Sequence, residues 1–232
     1  MPKQHIVVLT GAGISAESGL ATFRGMGGMW ENYRIEDVAS ISAWNVNPAL
    51  VLEFYNIRRE AAARAQPNAA HHALARLEEK YEVTIITQNV DDLHERGGSS
   101  KVIHLHGKLR EVRSSLFPEL VFDIGDKPIQ IGDLCPQGSQ LRPNIVWFGE
   151  MVPMIETAQN IVSGADIFIV IGTSMVVYPA AGLIHSVPAN VPKYIIDPDL
   201  PEVGHFHNLH KIAANATTGV PELVEGLLQR QV

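Results

Sequence analysis

The sequence lacks several features that would define a class of protein at once. It has a single cysteine in 232 residues, Cys135, which excludes an internal disulfide framework and a zinc site made of cysteines. Lys and Arg number 18 against 25 Asp and Glu, so we expect no nucleic-acid partner that binds through a basic face. Apolar runs such as residues 166–172 are too short to cross a bilayer, and residues 1–5 lack the start of a signal peptide. We therefore expect a cytoplasmic protein without a membrane partner.

What the sequence does contain is a regular alternation of strand and helix patterns. Helices are predicted over residues 49–64, 69–80 and 221–228. Continuous apolar runs, typical of strands buried on both faces, occur at residues 6–9, 83–87, 102–105, 145–148, 167–171 and 194–196. This alternation predicts an α/β fold with a doubly wound, mainly parallel sheet and right-handed crossovers.

Two segments break that alternation. Residues 25–65 carry no strand-like run, and residues 108–142 are polar, irregular and rich in Gly and Pro. We interpret both as insertions that together form a small subdomain over the sheet. The large part of a single domain would then comprise residues 1–24, 66–107 and 143–232.

A glycine-rich turn follows the first predicted strand. Residues 10–16 read Thr-Gly-Ala-Gly-Ile-Ser-Ala, and such glycines let backbone N–H groups approach a pyrophosphate at a helix N-terminus. An ordinary tight turn would look the same. A dehydrogenase would also need an acidic residue after a second strand, and no strand precedes Glu36 and Asp37. Hydride transfer is therefore disfavoured.

Five ordered blocks give the motif a more specific meaning. They are Ser-Gly-Leu-Ala-Thr-Phe-Arg-Gly at 18–25, Thr-Gln-Asn-Val-Asp-Asp-Leu-His at 87–94, His-Leu-His-Gly at 104–107, Val-Trp-Phe-Gly-Glu at 146–150 and Gly-Thr-Ser-Met-Val-Val-Tyr-Pro at 172–179. In this order they resemble the sirtuins, the NAD-dependent protein lysine deacylases, from Val8 to Leu227. The resemblance implies a Rossmann-like large domain, NAD as co-substrate, and acylated-lysine proteins or peptides as partners.

The resemblance also implies which residues bind NAD. Gln88 and Asn89 would contact the nicotinamide ribose, and Asp91 the carboxamide. Asp197 stands where many relatives have Asn, and a carboxylate can still accept hydrogen bonds from ribose hydroxyls. The implied set is Gly11, Ala12, Gly13, Ile14, Ser15, Phe23, Arg24, Trp30, Gln88, Asn89, Val90, Asp91, Gly172, Thr173, Ser174, Asp197 and Ala216.

The family reaction explains why no catalytic Ser or Cys is needed. The acyl oxygen of the substrate itself attacks the ribose, and a base must then activate a ribose hydroxyl. Histidine suits that step because its pKa lies near working pH. His106, with Asn89, matches the catalytic residues of the family. By residue type alone, His104, His71, His72 and His94 remain rivals.

Tyr55 and Arg58 carry the signal for acyl specificity. Residues three apart share a helix face, so a phenol and a guanidinium can converge on one carboxylate. A buried aromatic beside a solvated Arg is the alternative. In the family this pair marks the class III branch, which removes succinyl and malonyl groups. The implied substrate contacts are Tyr55, Arg58, Ala39, Phe148, Gly149, Glu150 and Val176.

The sequence departs from the family in the second insertion. Most sirtuins hold structural zinc there with four cysteines, whereas residues 108–142 contain only Cys135 and no histidine. We expect no metal, and packing of Leu116, Phe117, Leu120, Val121, Phe122, Ile129 and Ile131 instead. We also expect a monomer. Protein ADP-ribosyl transfer and an idle module that binds NAD and acyl peptides remain alternative functions.

Overall fold

The computed structural model describes residues 3–22, 29–30 and 33–230, with residues 29–30 as backbone only. The strands are β1 (His5–Thr10), β2 (Met29–Trp30), β3 (Tyr33–Arg34), β4 (Glu82–Thr87), β5 (Val102–His104), β6 (Gly107–Ser114), β7 (Val121–Asp123), β8 (Leu141–Ile145), β9 (Ile167–Ile171), β10 (Lys193–Ile196) and β11 (Leu209–Ile212). The α-helices are α1 (Ile35–Val38), α2 (Ile41–Val46), α3 (Pro48–Arg64), α4 (Ala69–Arg76), α5 (Leu93–Arg96), α6 (Ile155–Ser163) and α7 (Ala216–Gln229). Short 3-10 helices span Ala12–Ser18, Leu77–Glu79 and Ala180–Ser186.

The fold is organised around a six-stranded sheet in the order β11-β10-β9-β1-β4-β5. Every pairing in it is parallel. One face packs against α4 and α7, and the other against α6 and the 3-10 helix Ala180–Ser186. All five residues of β9 are buried, because both faces of the central strands are covered. The predicted doubly wound α/β fold is confirmed.

Polar caps define where the two long predicted helices start. Asn68 accepts a hydrogen bond from the Ala70 N–H, while the His71 side chain accepts from the Asn68 N–H, which makes a reciprocal capping box. Asn47 caps α3 by accepting from the Leu50 N–H, and Pro48 occupies the first helical position. These caps fix the N-terminus of α3, which lines the cleft described below, and that of α4, which packs on one face of the parallel sheet.

Some predicted elements were wrong. Residues 108–142 are irregular only in part, since they include most of β6, all of β7 and the first two residues of β8, which form an antiparallel sheet in the order β7-β6-β8. The strand predicted at 145–148 retains only Ile145, as the last residue of β8. The C-terminal helix starts at Ala216, and Pro221 lies inside it rather than in its first turn. Residues 25–65 include the short pair β2-β3 besides helices. The subdomain boundaries stay a prediction.

The packing expected for the second insertion is only partly right. Leu116, Val121 and Ile131 are exposed, whereas Ile129 is buried against Leu52 and Val112. Polar contacts tie the ends of the segment together instead. The Ser114 and Ser139 hydroxyls lie 2.5 Å apart, and Sγ of Cys135 lies 3.2 Å from Ser139 Oγ.

The described residues lack two features. None of their helices has the length and apolar character needed to cross a membrane. Nor do three or more His, Cys, Asp or Glu side chains of this part of the chain cluster as metal ligands. The expectation that zinc is absent stays a prediction.

Candidate active site

A cleft of about 510 Å³ runs along the carboxyl ends of the parallel strands. Open α/β sheets bind ligands at this edge because the loops of several strands meet there. One end is lined by loops that follow β1, β9 and β10, including Gly11, Gly172 and Asp197. The other end reaches α3, where Tyr55 and Arg58 form the wall.

Glycines build the first end of the cleft by letting two loops touch backbone to backbone. The Gly13 N–H donates to the Gly172 carbonyl at 2.8 Å, and the Gly11 N–H donates to the Ile171 carbonyl at 3.0 Å. A Cβ added to Gly13 would lie 2.6 Å from the Gly172 Cα, a distance that real Cβ atoms do not show. Gly172 has a φ of +61°, which favours glycine. The glycines therefore let the loops after β1 and β9 meet at this end of the cleft, and both loops contribute to its lining.

Three polar side chains follow β4 into the middle of the cleft. The Gln88 amide donates to Thr173 Oγ1 at 3.1 Å, and the Asn89 amide donates to the Gly11 carbonyl at 3.1 Å. The Asp91 carboxylate accepts from the Ser15 hydroxyl at 3.2 Å. Burial raises the pKa of Asp91, although hydrogen bonds from the Leu93 N–H and the Ser15 hydroxyl oppose the shift. These contacts hold amide and carboxylate groups in place before any ligand arrives.

His106 is the histidine that lines the cleft. Its Nδ1 lies 3.0 Å from the Gln88 carbonyl, which can only accept, so Nδ1 carries the proton of the neutral ring. Nε2 is then the atom that can accept a proton. Burial lowers the pKa of His106 below its usual range, and the Gln88 hydrogen bond partly offsets this shift. The ring is therefore a neutral base at pH 7.

The rival histidines lie elsewhere. His104 has both ring nitrogens engaged, with Nδ1 3.0 Å from the Asn89 carbonyl and Nε2 2.9 Å from Glu95 Oε1. His71 and His94 are buried beneath the cleft, at 0% and 1% exposure. His72 contacts the Gly97 carbonyl through Nδ1 at 3.2 Å. Geometry thus favours His106 as the base.

The second end of the cleft combines aromatic and cationic groups. Tyr55 is only 2% exposed, and the Arg58 Cζ lies 5.7 Å from the centre of its ring. Burial raises the pKa of Tyr55, while the charge of Arg58 opposes the shift, so the phenol remains a hydrogen-bond donor. Ala39 lines the same end, and its small side chain leaves room beside the pair. This end can hold an anionic group.

Trp147 was missed as a separate site residue, although it stands within the block 146–150. Its ring lies 6.1 Å from that of Tyr55, and the Arg142 Cζ lies 3.5 Å from its ring centre. Glu150, predicted to bind substrate, pairs with Arg142 at 2.7 Å and Arg113 at 3.1 Å. Its carboxylate also accepts from the Trp147 N–H at 2.9 Å, so Glu150 holds this wall of the cleft in place.

The structure does not bring every predicted residue into the cleft. The Ile14 side chain belongs to the core beside the sheet, and Val176 is 68% exposed and does not line the cavity. Phe23 and Arg24 lie outside the described residues, as does the side chain of Trp30. The remaining predicted contacts line the cavity, namely Ala12, Gly13, Ser15, Val90, Thr173, Ser174, Asp197, Ala216, Phe148 and Gly149.

Known proteins share this arrangement. The model of the Sir2 family matches residues 11–179. An NAD-dependent protein deacylase from Bacteroides thetaiotaomicron is 50% identical over 230 residues, which cover 97% of this chain and 98% of the relative. A mutant Sir2 homologue in complex with ADP ribose has a TM-score of 0.89 and 41% identity, covering 99% of this chain and 96% of the other. Sir2 with a p53 peptide and NAD+ has a TM-score of 0.76 and 32% identity, covering 98% and 95%.

These likenesses extend over nearly the whole chain and include the cleft. The fold and the cleft define a Rossmann-like protein with a cleft at the carboxyl edge of its parallel sheet. The chain belongs to the Sir2 family.

Proposed function

We propose that this protein is an NAD-dependent protein lysine deacylase that favours acidic acyl groups. The observation that carries the proposal is His106, whose hydrogen bond to the Gln88 carbonyl leaves Nε2 as the proton acceptor in the cleft. On one side of it lie the glycine loops, and on the other lie Tyr55 and Arg58. A nucleotide and an acylated lysine can therefore meet at one base.

The residues of the cleft fit NAD on chemical grounds. Gly13 and Gly172 let the loops after β1 and β9 pack backbone against backbone, so both glycine loops line the cleft where a pyrophosphate could approach. Asp197 offers a carboxylate that can accept from ribose hydroxyls. Asn89 and Asp91 offer amide and carboxylate groups for the nicotinamide half. NAD supplies the electrophilic ribose carbon and the hydroxyl that takes the acyl group away.

The protein itself supplies positioning and one proton transfer. His106 Nε2 takes the proton from the attacking ribose hydroxyl, and a neutral histidine with a lowered pKa is ready to do so at pH 7. Asn89 orients the ribose beside it. Phe148 and Gly149 form the wall where the substrate peptide would lie. The Phe148 N–H donates to the Ala39 carbonyl at 3.0 Å, so the backbone of Phe148 pairs with that of Ala39–Ile41.

The preference for acidic acyl groups rests on the far end of the cleft. Arg58 is a permanent cation and Tyr55 a protonated phenol, and both lie on the buried or cleft-facing side of α3. A succinyl or malonyl carboxylate would meet both groups, whereas an acetyl group would meet neither. The test is the wild-type kcat/KM with NAD on matched succinyl-lysine and acetyl-lysine peptides. A higher value for succinyl-lysine supports the preference, and equal values contradict it.

Four further expectations stay predictions: a cytoplasmic location, a monomeric state, no nucleic-acid or membrane partner, and no bound zinc. Cell fractionation tests the cytoplasmic location. Light scattering of the purified protein tests the monomeric state.

A further inference from the structure

Two buried histidines beneath the cleft are not used by the proposed reaction. His71 in α4 and His94 in α5 are 0% and 1% exposed, and their ring centres lie 5.0 Å apart at an angle of 64°. Each ring has one nitrogen with no hydrogen-bond partner among the described residues, Nε2 in His71 and Nδ1 in His94. Buried polar atoms without partners are rare and costly, so both call for an explanation.

Hydrogen-bond chemistry assigns the tautomer of His71. Its Nδ1 lies 3.2 Å from the Asn68 backbone nitrogen, which donates to it. Because Nδ1 accepts, the proton of the neutral ring must reside on Nε2. The unpartnered atom of His71 is therefore a donor.

The same reasoning gives the opposite result for the unpartnered atom of His94. Thr10 donates its hydroxyl proton to Thr87 Oγ1 at 2.8 Å, so its oxygen must accept from His94 Nε2 at 3.0 Å. His94 thus carries its proton on Nε2, and Nδ1 is a bare acceptor. A buried donor and a buried acceptor, both without partners among the described residues, therefore lie on neighbouring rings.

These bonds lead into the active site. Thr87 Oγ1 accepts from the Asn89 backbone N–H at 3.0 Å, and the Asn89 amide donates to Gly11 O at 3.1 Å and Ser15 Oγ at 3.2 Å. These hydrogen bonds connect His94 through Thr10 to Thr87, whose Oγ1 accepts from both Thr10 and Asn89, the residue that would orient the ribose. All four of these residues are buried.

We propose that His94 is a positioning residue for Asn89, and that the His71 Nε2–H donates through one buried water to His94 Nδ1 and fixes its tautomer. The inference rests on the proposed function only for its kinetic readout. Its tautomer assignment concerns the unliganded protein.

The first test reads the tautomers without any turnover. Long-range ¹⁵N–¹H NMR of the wild-type protein should show both rings neutral with the proton on Nε2. A proton on Nδ1 of either ring would overturn the assignment, whether or not the protein is a deacylase. In His71→Asn, whose Oδ1 can still accept from the Asn68 N–H, the shift of His94 Nδ1 should move as its donor is lost.

The second test is a double-mutant cycle between His94→Phe and Thr10→Val, read as kcat and as KM for NAD. Loss of one buried hydrogen bond is expected to lower kcat about 3- to 10-fold, with KM within about twofold. Because both variants cut the same chain, the double variant should lose no more than the worse single one. Multiplied losses would overturn the proposal.

The rescue variant is His94→Gln, whose amide can donate to Thr10 and should restore most of kcat. The matched control is the neighbouring His72→Asn, which should change neither kcat nor the KM for NAD. If His94→Phe does not fold, the kcat of Thr10→Val and the NMR measurement of the tautomers still test the proposal.

Discussion

Replacing Arg58 by Met removes the cation at the acyl end of the cleft while keeping an unbranched apolar side chain. The Arg58 Cζ lies 5.7 Å from the Tyr55 ring, so the guanidinium and the phenol border the same space. A hydrogen bond to a charged group contributes ~1.5–3 kcal/mol, which corresponds to a loss of about 10- to 150-fold in kcat/KM for succinyl-lysine. We expect the loss mainly in KM, because the distal carboxylate is held alike in ground and transition states. Acetyl-lysine should be unaffected or improved.

The assay is steady-state deacylation of matched succinyl-lysine and acetyl-lysine peptides, and the decisive quantity is the ratio of their kcat/KM values. Tyr55→Phe should lower the same ratio by a smaller factor, about 2- to 10-fold, since a neutral hydrogen bond is lost. Arg64→Met is the matched control, because Arg64 lies on the same helix but is solvent-exposed and paired with Glu60. If Arg58→Met lowers both activities equally, the pair is structural and the acidic preference is wrong.

Three further predictions concern other parts of the molecule. His106→Ala should lower kcat by about 10²-fold or more, while the Kd of NAD by calorimetry stays near the wild-type value; near-normal turnover would place the base elsewhere. Burial holds the pKa of His71 at about 4 and that of His94 at about 3, so both rings gain protons only on unfolding once the pH falls below about 6.5. The free energy of unfolding should therefore be highest above that pH and drop by roughly 2–4 kcal/mol on going to pH 5, as read from urea titrations; a flat profile would contradict the assignment of two neutral buried rings. Elemental analysis should find far less than one zinc per chain, and a chelator should leave the Tm unchanged; about one equivalent of zinc would refute this.

The parallel sheet could be predicted because its strands are apolar on both faces, and β9 is a clear example. The small antiparallel sheet could not, because its strands are half-exposed and polar. In β6, the sequence Gly-Lys-Leu-Arg-Glu-Val-Arg-Ser buries only three of eight positions, and its order depends on pairing with distant segments. The composition of a strand does not indicate which distant segment it pairs with.

The residues of the candidate site likewise divide into those that the sequence could predict and those that it could not. Residues next to the strand ends, such as Gln88 and His106, line the cleft, while their roles stay predictions. Glu150 has the right motif, yet its carboxylate pairs with Arg142 and Arg113, which come from other strands. The link from His94 to Asn89 was equally invisible, because it depends on the tautomers of two buried rings rather than on spacing in the sequence.

The most direct test of the account is a mass-spectrometric balance of products after incubation with NAD and a succinyl-lysine peptide. We expect equal amounts of free lysine peptide, nicotinamide and succinyl-ADP-ribose, because the acyl group leaves on the ribose. Nicotinamide release with ADP-ribose attached to protein would indicate ADP-ribosyl transfer instead. No nicotinamide at all with either a succinyl-lysine or an acetyl-lysine peptide would contradict the account and leave a module that only binds.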